Sequence, residues 1–195
     1  MILPIVAYGS PVLKQKAVPL SQDHDQLGNL IENMWETMYA AHGVGLAAPQ
    51  VGLALRLFVI DAGPFAQDEN LSEEESTFLE GFKKVFINPV MVSESGTPWD
   101  FNEGCLSIPD VREDVARPPQ IEIEFLDEHF EKQRLILEGL AARVVQHEYD
   151  HIEGILFTDH LSPLKKRLIK GKLNAIAKGK CEVDYAMRFP IKTKR

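Results

Sequence analysis

The sequence predicts an α+β fold, with mixed or antiparallel strands packed around a central buried helix and a further helix near the C-terminus. Three observations carry this. Apolar and β-branched runs of strand length recur at residues 55–62 and 85–92, and again where Ile121, Ile123 and Phe125 alternate with polar residues. Leu140, Val144, His147 and His151 follow one another at steps of four, three and four, which places polar side chains on the apolar stripe of a helix that enters the interior. Ser162-Pro163 supplies an N-cap and a first-turn proline for the last helix.

In chain order, Leu27, Leu30, Ile31, Met34 and Met38 give an amphipathic helix over 25–41, its Leu/Met stripe facing the core. The strands 55–62 and 85–92 follow, separated by an acidic segment, 68–80, read as an exposed loop or short helix. A turn near Asp127-Glu128-His129 makes a hairpin of 121–125 and 134–137. The helix bearing both histidines starts near Glu138. In the last helix Leu164, Leu168, Leu173 and Ile176 are expected to pack inward, and 183–190 is either a strand or a tail. With 195 residues, 45% of them hydrophobic, and no repeat or low-complexity linker, the chain reads as one domain, 1–195, with a basic C-terminal helix and tail from about 162.

Composition excludes several classes of function. No apolar run reaches membrane-spanning length, and no basic residue precedes the short apolar N-terminus, so neither a membrane protein nor a signal peptide is expected. Two cysteines that need not pair suggest a reducing, cytoplasmic setting. The net charge of −8 is uneven: residues 164–195 hold eleven Lys/Arg against two acids, and the first 163 residues hold ten against 27. Such a basic end is either a solvated helix face or a surface that meets RNA phosphates. Gly43-Val44-Gly45-Leu46-Ala47-Ala48 matches the dinucleotide-binding fingerprint in letters. That fingerprint needs a strand before it and a helix after it; here a helix precedes, and Pro49 and Gly52 prevent one from following. No nucleotide cofactor is expected.

His147-Glu148-Tyr149-Asp150-His151 is an HExxH run. Two imidazoles four residues apart share a helix face and can reach one metal ion, while the adjacent Glu can act on water without ligating. A third ligand has to come from elsewhere. A histidine six residues past the motif is missing, because residue 157 is Phe157, and no acid occurs over 164–180. The remaining strong donor is a thiolate, from Cys105 or Cys181. Cys105, in Glu103-Gly104-Cys105-Leu106-Ser107, has the better context, because Cys181 sits in the tail beyond the last helix.

Three blocks in order, GVGLAAPQ at 43–50, EGCLS at 103–107 and QHEYDH at 146–151, resemble the peptide deformylase family. Tyr8-Gly9-Ser10-Pro11 and Leu161-Ser162-Pro163-Leu164 extend the likeness to about residues 5–170. The resemblance implies a hydrolase that takes the formyl group from the N-formyl-methionine end of nascent chains and releases formate. It implies Cys105, His147 and His151 as ligands of one ion per chain, ferrous iron in cells, with zinc, nickel or cobalt able to substitute. It makes Glu148 the general base and gives the Gln50 side chain and the Leu106 N–H the developing oxyanion. Val44 would wall the methionine pocket, and the Gly45 backbone would hydrogen-bond the peptide. Glu103 and Arg112 would pair beside the site, with Gln146 and Asp150 behind the ligands. The basic C-terminal helix (Lys165, Lys166, Arg167, Lys170 and Lys172) is associated in such proteins with docking on the ribosome.

Overall fold

The computed structural model describes residues 1–190. In chain order the elements are β1 (Ile5–Val6), α1 (Leu27–Ala40), β2 (Gly45–Ala47), β3 (Leu57–Asp61), α2 (Glu73–Glu80), β4 (Lys83–Ser95), β5 (Trp99–Cys105), β6 (Ile108–Arg117), β7 (Gln120–Leu126), β8 (Lys132–Glu138), α3 (Gly139–Glu153), α4 (Pro163–Ile176) and β9 (Met187–Arg188). Strands β2-β3-β4-β7-β8 form an antiparallel sheet, β5 and β6 a separate hairpin, and β1 and β9 a short parallel pair. The expected α+β class, the strands at 55–62 and 85–92 and the hairpin across 127–129 are all present.

The large sheet lies between two helices, which explains a feature of its sequence. Leu57 and Val59 face a cluster with Ile31, Met34 and Met38 of α1, whereas Phe58 and Ile60 face Leu140, Ala141, Val144 and Val145 of α3. A strand covered on both faces needs apolar residues at every position, so β3 reads LFVI without alternation. Ten of the fifteen residues of α3 are buried, including Arg143, Gln146, Glu148 and His151. The helix ends at Gly154, whose φ of 75° is a left-handed C-cap. A Cβ there would also lie 2.9 Å from the Lys14 backbone, so no other residue suits the position.

Two parts of the chain differ from the expectation. In α4 the inward stripe is Ile169, Leu173 and Ile176, while Leu164 and Leu168 are exposed. The true stripe keeps helical spacing back from Ile176, and Leu164 and Leu168 belong to the opposite, basic face. The β5–β6 hairpin was not expected as strands at all. Its inward positions alternate up to a register shift after Gly104, with Trp99, Phe101 and Glu103 inward on β5 and with Val115 and Arg117 inward on β6, opposite Phe101 and Trp99. Two of these inward residues are charged, and they break the apolar alternation by which a half-buried strand is recognised.

Candidate metal centre

The site lies where α3 passes beneath the β5–β6 hairpin and β2. Residues Leu106-Ser107 form a tight turn between the paired Cys105 and Ile108, so the thiol is held at the hairpin tip. Donor atoms of Cys105, His147 and His151 lie within 4.8 Å of one another, and Cys105 Sγ is 3.3 Å from His151 Nε2. Metal–sulfur and metal–nitrogen bonds of about 2.3 and 2.0 Å put tetrahedral ligand atoms roughly 3.5 Å apart, so these three residues fit a divalent transition metal. Burial and the nearby His147 depress His151 to a pKa of about 3, which keeps it a neutral lone-pair donor. Burial would also lower His147, but its hydrogen bonds with Cys105 and Glu103 outweigh this and raise it well above the ordinary value.

Glu148 is fully buried beneath Gly45; a Cβ on Gly45 would overlap its carboxylate, with Cδ at 2.8 Å. Its Oε2 has no hydrogen-bond partner among the described residues. Burial pushes this carboxyl up to a pKa of about 7. Gln50 is buried in the 3-10 turn Ala48–Val51, where Oε1 accepts from the Ala47 N–H at 2.7 Å. That bond settles the amide orientation and points Nε2 at Cys105 Sγ, 3.5 Å away. A cleft of about 600 Å³ opens over these groups, its walls including Val44, Gly45, Phe101, Leu106, Val111 and Val144.

The expected Glu103–Arg112 pair does not form. The two residues lie on opposite faces of the hairpin, and Arg112 instead donates to Asn102 Oδ1 (2.9 Å) at the outer rim of the cleft. Glu103 points inward. One carboxylate oxygen accepts from Arg117 Nε (2.7 Å) and Arg143 Nη1 (3.1 Å), the other from Arg117 Nη2 (3.1 Å) and His147 Nδ1 (2.9 Å). Burial alone would raise its pKa, yet the bonds from His147 and Arg117 hold it well below the usual carboxylate range. Glu103 therefore orients the His147 imidazole through Nδ1 and leaves its Nε2 free.

Asp150 and Gln146, expected behind the metal-binding histidines, bond other groups with their side chains. Asp150 Oδ2 accepts from Arg117 Nη1 and His160 Nε2, both at 2.7 Å, and Gln146 Nε2 donates to Glu94 Oε1 at 2.9 Å. Arg143 was missed from the sequence. It stacks on Trp99 with its guanidinium carbon 4.5 Å from the ring centroid, and donates to the carbonyls of Val115 and Trp99. Its one signal was a charged residue on the buried face of a helix, four residues before His147.

The family model described as polypeptide deformylase matches residues 2–167. A protein named peptide deformylase from Christiangramia forsetii is 64% identical over 190 residues, covering 97% of each chain. One from Flavobacterium johnsoniae is 57% identical over 189 residues, covering 97% of this chain and 96% of the relative. The crystal structure of peptide deformylase from Thermus thermophilus superposes with a TM-score of 0.78 at 40% identity, covering 92% of this chain and 99% of that one.

Proposed function

Because the chain belongs to the polypeptide deformylase family, it is a hydrolase that removes the N-formyl group from nascent peptides, and we propose how its residues divide that work. Cys105, His147 and His151 hold one divalent ion, ferrous iron in the cell. When bound, such an ion lowers the pKa of a water molecule and polarises the formyl carbonyl. Glu148, which lines the same cleft as Cys105 and His147 and keeps one carboxylate oxygen unpartnered among the described residues, takes the proton from the attacking water and returns it to the departing amine nitrogen. Gln50 Nε2 and the Leu106 N–H receive the charge that develops on the carbonyl oxygen. Strand β2 is at the edge of its sheet, so the Gly45 backbone can pair with an extended peptide. The formyl-methionine side chain enters the apolar cleft beside Val44, Phe101 and Val144.

The observation that carries this reading is the meeting of Cys105, His147 and His151 around one point, on a cleft that Glu148 also lines. Anaerobically purified protein is expected to contain about one metal ion per chain by elemental analysis and to release formate from a formyl-Met dipeptide. Chelation should abolish the release and ferrous iron restore it; formate production that survives complete metal removal refutes the assignment. With one thiolate on ferrous iron, activity should decay in air faster than that of the nickel-substituted protein.

We extend the proposal to α4 as a ribosome contact. Arg167, Lys170 and Lys172 are exposed and make no ion pair among the described residues, and Leu164 and Leu168 are exposed beside them. Co-sedimentation with ribosomes is expected to weaken steeply with salt and to be lost in an Arg167→Glu, Lys170→Glu, Lys172→Glu variant that still deformylates a free dipeptide. Equal co-sedimentation of both proteins would exclude the contact.

A further inference from the structure

The family match ends at residue 167, so the tail after α4 lies beyond it. That tail returns to the site, with residues 182–185 lining the mouth of the cleft. We propose that the tail braces both oxyanion-donor segments, with Tyr185 a positioning residue for the turn that carries the Leu106 N–H. The proposal rests on reading Gln50 and Leu106 as donors.

In a two-residue turn the central peptide has no ladder partner, and its rotation converts one turn type into another. Here that peptide joins Leu106 to Ser107 and shares the Leu106 Cα with the preceding peptide, which bears the Leu106 N–H, so holding its carbonyl restrains rotation about that Cα. Tyr185 Oη donates to its carbonyl, the Leu106 oxygen, at 2.8 Å. The following carbonyl, that of Ser107, accepts from the Tyr8 N–H at 2.8 Å. Both outward carbonyls of the turn are thus held by residues outside the hairpin. Tyr185 is itself fixed by the β1–β9 pairing, in which Ile5 N–H donates to the Ala186 oxygen and Ala7 N–H to the Arg188 oxygen, each at 2.9 Å. Its ring and the Leu106 side chain pack on the same cluster as Met34 and Met38.

The second contact is three residues on. The Arg188 guanidinium lies over Gly52, filling the space that a Cβ there would need. Gly52 caps the 3-10 turn that carries Gln50. One stretch of tail therefore touches both donor-bearing turns, and rotation of either turn has to displace it. A preorganised donor contributes to catalysis only while its aim is fixed, so slackening the brace should act on the chemical step more than on substrate binding.

Tyr185→Phe keeps the ring and removes only the hydroxyl. Beside an active wild type and an impaired Gln50→Ala control, it is expected to lower kcat about tenfold with KM unchanged within roughly twofold. Its melting temperature should move by no more than about 4 °C, and the amide resonances of Leu106 and Ser107 should shift. Unchanged kcat in Tyr185→Phe with Gln50→Ala impaired overturns the brace and leaves the donor reading standing. An unimpaired Gln50→Ala overturns the donor reading and the brace with it. A loss of activity that only tracks a loss of folded protein assigns the tail to stability and also overturns the proposal. Should Tyr185→Phe not fold, Arg188→Ala decides, since the brace requires the same fall in kcat without a change in KM.

Discussion

Glu148→Ala should lower kcat by roughly 10³-fold or more while the protein keeps its metal, the loss expected when a positioned general base is removed. At about 1.36 kcal/mol per decade this is on the order of 4 kcal/mol of barrier. The isosteric Glu148→Gln should fall as far, because an amide fills the space beneath Gly45 but cannot accept the proton. Neither change should weaken the fold. Glu148 is buried with one oxygen unpartnered, so it costs the folded state desolvation that no hydrogen bond repays. Thermal melting of the metal-free variants is expected at or above the wild-type temperature, as is common for residues kept for chemistry. Kinetics, elemental analysis and melting on one preparation check all three expectations; wild-type turnover by either variant would remove Glu148 from the mechanism.

The sequence was most legible where one local rule governs. The step pattern of Leu140, Val144, His147 and His151 placed both histidines on the inward face of α3, because a helix converts spacing into direction. Ser162 caps α4 through its Oγ and the Lys165 N–H at 3.3 Å, as its place before Pro163 implied. Elimination among known ligand spacings left a thiolate, and the structure seats Cys105 beside both imidazoles. What escaped the sequence depends on pairing between distant segments. Glu103 and Arg112 are nine positions apart and of opposite charge, yet the register that sets Gly104 opposite Arg112 turns their side chains to opposite faces. The partners of Glu103 come instead from Arg117 at the far end of β6 and from two residues of α3, four apart on one helix face. The tail shows the same limit. Two residues of parallel pairing are too short to carry a pattern, although they decide where Tyr185 and Arg188 lie.

Glu103→Leu should be the most destabilising of the conservative-volume changes at the site. Glu103 and Arg117 are each 4% exposed and Arg143 is 2% exposed, so the charges cannot rehydrate when their partner is removed. The cluster is balanced, with Glu103 and Asp150 set against Arg117 and Arg143. Loss of Glu103 leaves Asp150 to hold Arg117 and strips Arg143 of the one carboxylate that it bonds among the described residues, leaving it two carbonyls and the Trp99 ring. Breaking one side of a buried ion pair costs about 3–5 kcal/mol. The same substitution removes the acceptor of His147 Nδ1–H, so the ring loses the bond that fixes its tautomer, and metal affinity should fall roughly 10- to 100-fold. Arg143→Met separates the two effects. It relieves one buried positive charge and leaves the Glu103–His147 bond in place, so it should lose stability while retaining most of the metal affinity. Urea denaturation of the metal-free proteins, with competitive metal titration of the same samples, tests the pair. Glu103→Leu with wild-type affinity would show that this carboxylate supports the hairpin and not the ligand.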